Sequence, residues 1–207
     1  MTSLAQARLD YESRGLAFAG PVIEPARLSS AYDRVIADGY DGYYAVVVHD
    51  AWRREPAFAE ELPRLAEVAM AVSGLAEVVL FQDLLISKPP GYGEMEWHHD
   101  YAFWPLDRPE GVTTWITLDD AGPENGCMRY KPDIDAPASA GSAWLHTPLV
   151  WHMSPPNRSD RPRRAWSLTW VSADVRWDPA HSPHPFNTFR NPVAGSPLEA
   201  DFPRFRR

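Results

Sequence analysis

The chain has 207 residues, 44% hydrophobic and 23% charged, a balance that excludes a disordered polymer and is long enough to bury a sizeable core. A formal net charge of −8 argues against wholesale nucleic-acid binding, which needs a positive face for the phosphate backbone. The lone cysteine, Cys127, excludes an internal disulfide and a cysteine-rich zinc or iron–sulfur site, and fits a reducing, cytoplasmic compartment. No apolar run approaches the roughly 20 residues that cross a bilayer, so no membrane partner is expected. The opening "MTSLAQARLDYESRG" lacks the charged-then-apolar order of a secretory signal. Only Lys88 and Lys131 accompany the many arginines, which reads as a genomic bias.

The expected organisation is one domain over 1–207, with a helical part to about 75, a β core over about 76–175 and an irregular tail over 176–207. In the first part Leu28, Tyr32 and Val35 fall at helical spacing, with Gly39 placed to end the helix. A second helical stretch runs from "EPAFAEELP" to Gly74, with a break at Pro63. At "AEVVLFQDLLISKPP" the character changes to a Val/Leu/Ile-rich strand stopped by Pro89-Pro90. Six further short strands follow, "EMEWHHDYAF", "GVTTWITLDD", "GCMRYKP", "GSAWLHT", "LVWHMS" and "RAWSLTWVSADV", separated by Pro-, Gly- and Asn-rich turns. That pattern predicts an antiparallel sandwich or barrel. The tail beyond Trp177 is Pro-rich and patternless.

The chemistry concentrates at "EWHHDYAFWP". Two imidazoles and a carboxylate are costly to bury beside Trp97, Phe103 and Trp104 unless something pairs with them. On a strand, His98 and Asp100 share one face while His99 points away. Two ligands do not make a metal site; the best third is His152, 54 residues on from His98, at the end of another strand. Two histidines and one carboxylate on one face of a metal form the facial triad of non-haem Fe(II) oxygenases.

Three segments, "FQDLLISKPPGYGEMEWHHD", "WITLDDAGPENGCMRYKP" and "WLHTPLVWHMSPPNRSDRPRRAWSLTWV", together resemble the phytanoyl-CoA dioxygenase family. The resemblance covers roughly 76–175 and rests on the order of several motifs. A strand ending in Lys-Pro-Pro precedes the HxD, Pro123 to Gly126 matches a family turn, and His152, Ser154 and Asn157 make H-x-S-x-x-N. It implies a double-stranded β-helix (jelly roll, cupin-like) with helices on its major sheet, and Fe(II), 2-oxoglutarate and O2 as cofactors. The metal ligands would be His98, Asp100 and His152. Arg163, eleven residues past His152, would anchor the far carboxylate of 2-oxoglutarate, since arginine is a fixed bidentate partner for it. Ser154 would hydrogen-bond the same carboxylate. Trp115 matches a family tryptophan near that pocket, and Gln82 is a candidate contact of the co-substrate. Tyr101, Phe103 and Trp104 are candidates for the substrate wall. His146 reads as structural or pocket-lining, and His181 and His184 carry no motif.

Two departures matter. The family's "P-G-S-H" is replaced by "KPDIDA" at 131–136, and the following loop to Gly141 is short. That implies an open pocket, or one completed by the tail or by a partner subunit. Asp100 stands where iron halogenases carry a small residue, so hydroxylation is favoured over halogenation. The expected activity is oxidation of an unactivated C–H bond of a small-molecule substrate of specialised metabolism, free or carrier-tethered, with release of succinate and CO2. The alternatives are a silent metal-binding module and a cupin-like isomerase or lyase that does not use 2-oxoglutarate.

Overall fold

The computed structural model describes residues 3–37, 39, 47–182, 184 and 190–207. Its elements in order are α1 (Leu4–Arg14), β1 (Leu16–Pro21), α2 (Pro25–Ala37), β2 (Val47–His49), α3 (Ala51–Arg54), α4 (Pro56–Ala59), α5 (Leu62–Ser73) and β3 (Glu77–Lys88). There follow β4 (Met95–His98), β5 (Gly111–Thr117), β6 (Met128–Tyr130), β7 (Ile134–Ala136), β8 (Ser142–His146), β9 (His152–Ser154), β10 (Arg163–Val171) and β11 (Arg204–Arg206).

All pairings are antiparallel. A major sheet runs β1-β8-β5-β10-β3-β11, with β2 also paired to β3, and a minor sheet runs β4-β9-β6-β7. Together they form a double-stranded β-helix with helices on the outer face of the major sheet. Alternation along β10 divides its faces. Trp166, Leu168 and Trp170 pack against the helical residues Leu28, Tyr32, Phe58, Leu65 and Ala69, while Arg163 and Ser167 point into the space between the sheets. Amphipathic spacing explains the helices: α2 buries Leu28, Ala31, Tyr32 and Val35. Pro63 does not break a helix. It sits in the first turn of α5, where its missing N–H is no loss, and Gly74 closes α5 at φ 83°.

Three further expectations change. The N-terminal part carries strands as well as helices, β1 pairing with β8 and β2 with β3. The short replacement loop contains β7, an edge strand whose only buried residue is Ala136. The tail is not irregular throughout: Trp177, Leu198 and Phe202 join a buried cluster with Phe81 and Trp104, and β11 pairs with β3.

Candidate metal centre and co-substrate site

β4 and β9 are neighbours in the minor sheet, and their register sets His98 directly opposite His152. The two rings lie 4.3 Å apart between centroids. Asp100 is not on the strand. The chain leaves β4 at His98 and enters a 3-10 turn over Asp100–Phe103, capped by the His99 side chain, which accepts from the Ala102 N–H. The turn, rather than strand alternation, swings the Asp100 carboxylate back toward the histidines. One ligand atom from each of His98, Asp100 and His152 lies within 4.8 Å of the others.

Neighbouring groups decide which atoms face inward. His98 Nδ1 lies 2.7 Å from the Glu96 carbonyl and His152 Nδ1 2.9 Å from the Val150 carbonyl. Each Nδ1–H therefore donates to backbone two residues upstream, leaving the Nε2 lone pair available for a metal. Asp100 Oδ2 accepts from the Thr113 hydroxyl and from His146 Nε2 at 3.2 Å, while Tyr130 hydrogen-bonds His146 Nδ1 at 3.1 Å. Asp100 Oδ1 is left facing His152 Nε2 at 3.4 Å. Burial alone would raise the Asp100 pKa, but the charge of His152 and hydrogen bonds from His146 and His152 hold it well below the carboxylate range. Burial and the charge of His152 push His98 and His146 down. Against its burial, Asp100 in turn raises His152, so without a metal the two share a proton at His152 Nε2; a divalent cation that displaces it meets an ionised carboxylate and two imidazole Nε2 lone pairs, a donor set suited to such an ion.

A cavity of about 420 Å³ opens on these three residues. Arg163 opens β10, paired in register with Lys88 of β3. Both are buried, at 1% and 0% exposure. Lys88 Nζ donates to the Ser154 carbonyl at 2.9 Å and hydroxyl at 2.8 Å; Arg163 Nη2 donates to the same hydroxyl at 3.1 Å, which itself donates to the Gly126 carbonyl at 2.8 Å. Arg163 Nε and Nη1 have no partner, and its Cζ lies 5.2 Å from the Trp115 ring centre. Among the described residues neither cation is paired with a carboxylate. Burial and the neighbouring arginine lower the Lys88 pKa to about 7, and burial lowers that of Arg163 to about 10. Two buried cations, one with donors aimed at nothing, are a site for an anion with two acceptor oxygens. The far carboxylate of a dicarboxylic keto acid has that chemistry.

The remaining candidates divide. Ser154, Trp115, Gln82, Phe103, Trp104 and His146 all line the cavity, although Trp104 is 1% exposed and belongs mainly to the core. Ser154 organises Lys88 and Arg163 in addition to facing the cavity. His146 supports Asp100. Gln82 lies in the middle of β3, six residues from Lys88. Tyr101 is not part of the wall: its hydroxyl bonds the Leu106 carbonyl at 3.0 Å and its ring stacks on His181 at 4.2 Å, outside the cavity. Sequence reasoning gave no site role to Lys88, Thr113, Tyr130 or His184. Only Lys88 carried a local signal, the Lys-Pro-Pro that ends its strand.

Solved structures share this architecture. The carbocyclase SnoK from nogalamycin biosynthesis superposes with a TM-score of 0.86 at 21% identity, covering 96% of this chain and 95% of that one. The epimerase SnoN from the same biosynthesis gives 0.85 at 22%, covering 99% and 96%. EvdO2 from Micromonospora carbonacea var. aurantiaca, complexed with 2-oxoglutarate, gives 0.74 at 24%, covering 86% and 94%. Among curated sequences, the methylphosphonate hydroxylase of Gimesia maris is 26% identical, and the phytanoyl-CoA dioxygenase domain-containing protein 1 of Mus musculus 30% identical. Each match covers 52% of this chain and 50% of the relative, so the chain spans about half the length of the curated relatives it matches. The phytanoyl-CoA dioxygenase profile matches residues 37–133 and 131–165, more than half of the chain and every residue of the centre built above. The chain belongs to the phytanoyl-CoA dioxygenase family, the Fe(II)- and 2-oxoglutarate-dependent enzymes.

Proposed function

We propose that this chain oxidises an unactivated C–H bond of a small-molecule substrate of specialised metabolism, with hydroxylation as the outcome, while 2-oxoglutarate and O2 become succinate and CO2. His98, Asp100 and His152 would hold Fe(II), and Arg163, set by Ser154 and Lys88, would hold the far carboxylate of 2-oxoglutarate. The observation that carries the reading is the buried Arg163 with Nε and Nη1 unpartnered beside a second buried cation. A cupin-like isomerase or lyase that does not use 2-oxoglutarate would have no use for that anchor.

Bound iron would supply the oxygen-activating chemistry. The chain's own residues do the rest. Thr113 and His146 occupy one oxygen of Asp100, which favours one-oxygen ligation and leaves room for co-substrate and O2. Ser154 fixes the guanidinium in its plane. Trp115, Met128 and Ile86 line the cavity near the anchor with apolar surface that excludes water and strengthens the Arg163–carboxylate attraction.

Succinate formation from 2-oxoglutarate should require Fe(II) and vanish in Asp100→Ala. Arg163→Leu should weaken 2-oxoglutarate binding by roughly 100-fold, because two charge-assisted hydrogen bonds are lost, while metal affinity stays unchanged. Arg163→Lys should not rescue it, since an ammonium lacks the planar fork. Calorimetric titration of 2-oxoglutarate measures both variants. An Arg163→Leu protein that binds and turns over like the parent overturns the proposal.

A further inference from the structure

We infer that the substrate is an uncharged molecule, not tethered to coenzyme A or to a carrier, and that its hydrogen-bonding function is received by the Gln82 amide beside the metal centre. The inference rests on the reaction proposed above but draws on different residues.

Register gives the placement. Across the major sheet Gln82 pairs with Thr169, Thr169 with Thr113, and Thr113 with His146. The last two support Asp100, so Gln82 sits in the same row, two strands and roughly 10 Å to the side. The Lys88–Arg163 pair starts six residues away along the strands, its backbone roughly 20 Å from Gln82, and its long side chains reach back only as far as Ser154, two residues from His152. Gln82 therefore flanks the reacting centre and not the co-substrate anchor. A bulge aims it there. Thr169 pairs with Gln82 and Trp170 with Leu80, so Phe81 is the extra residue on β3. Phe81 packs against the His184 ring, 5.7 Å away, and Gln82 faces the cavity.

Hydrogen-bond inventory gives the chemistry. Gln82 Oε1 accepts from His184 Nε2 at 3.0 Å, and Gln82 Nε2 donates to Thr169 Oγ1 at 3.5 Å. A primary amide has two N–H groups and two lone pairs, so one donor and one acceptor remain for a ligand. Burial and the neighbouring His49 push the His184 pKa down to about 3, which keeps this wall neutral. Phe103, 42% exposed, supplies an aromatic edge at the opening.

Charge supplies the exclusion. Arg163 is the one lysine or arginine among the described lining residues, and it lies at the anchor. The rim carries the exposed carboxylates Glu94 and Glu96. The residues outside the described set contain no lysine, arginine or histidine. The phosphates of a coenzyme A or phosphopantetheine arm would pass two like charges and, among the described lining residues, meet no lysine or arginine before Arg163, so such substrates are disfavoured.

The test uses the full chain with Mn(II) and 2-oxoglutarate, titrated calorimetrically with 2-naphthol, 2-naphthoate and octanoyl-CoA. The expected result is 2-naphthol binding roughly tenfold or more tighter than 2-naphthoate, with no saturable heat from octanoyl-CoA. Gln82→Leu should weaken 2-naphthol roughly tenfold and leave 2-oxoglutarate affinity unchanged. The exposed double variant Glu94→Lys/Glu96→Lys, which cannot disturb the core, should strengthen 2-naphthoate. Any one of three results overturns the inference: 2-naphthoate or octanoyl-CoA matching 2-naphthol, no saturable 2-naphthol binding, or a rim variant without effect. Failure of the parent chain to bind 2-oxoglutarate would sink the reaction instead, and the naphthol comparison would still judge the pocket.

Discussion

Lys88 illustrates how one side chain can oppose the fold and serve the site. Its pKa falls from 10.5 to about 7 on burial beside Arg163. Between those values the unfolded chain carries a proton that the folded chain has shed, so stability without ligand should rise as pH increases from about 7 to 10.5. Urea denaturation across that window should show the slope in the parent, and Lys88→Met should flatten it. The Asp100 environment yields a second expectation at this scale. Thr113→Val or His146→Leu removes a donor from Oδ2 without touching a metal ligand, and metal affinity should drop roughly 10–100-fold by titration with Mn(II) or Co(II).

At the scale of elements, the strands were readable because Val, Ile, Trp and Thr runs end at turn chemistry, and β3, β5, β8, β9 and β10 all lie where those runs occur. The elements that escaped are short and owe their existence to partners. β2, β7 and β11 have three residues each, too few for a period, and each forms because an edge is offered by β3 or β6. The triad could be proposed from HxD and a distant histidine, but the reason for its convergence could not. It depends on β4 lying against β9 in register and on a 3-10 turn that "HHDYAF" does not announce. Thr113 was invisible, and His146 readable only as structural or pocket-lining, for the same cause: their link to Asp100 is cross-sheet, and no local spacing encodes it. Gly126, in the turn before β6, does show its role. At φ +77° a Cβ would press into the Pro155 carbonyl, and the Gly126 carbonyl receives the Ser154 hydroxyl. Gly126→Ala should cost on the order of 2 kcal/mol in chemical denaturation and weaken 2-oxoglutarate binding with it.

For the whole molecule, the cavity is held open by opposed apolar layers, and the groups inside it are charged or polar without full partners. Ligands that complete them should stabilise the fold by mass action. At 100 times Kd each contributes about 2.7 kcal/mol, a rise of several degrees in Tm for a chain of this size. Mn(II) alone, then Mn(II) with 2-oxoglutarate, should raise Tm in two steps by scanning fluorimetry, and Asp100→Ala should lose both. The described residues include no helix long and apolar enough to cross a membrane.

Depth within the cavity bears on the order of binding. The Asn157 amide ties the end of β3 to the loop that leads into the anchor strand, donating to the Lys88 carbonyl at 2.8 Å and the Arg161 carbonyl at 2.7 Å, and so braces the wall behind Arg163. On the proposed function, an organic reactant resting against Gln82 narrows the way in for the keto acid, so product-inhibition kinetics should show the keto acid binding first and succinate leaving last.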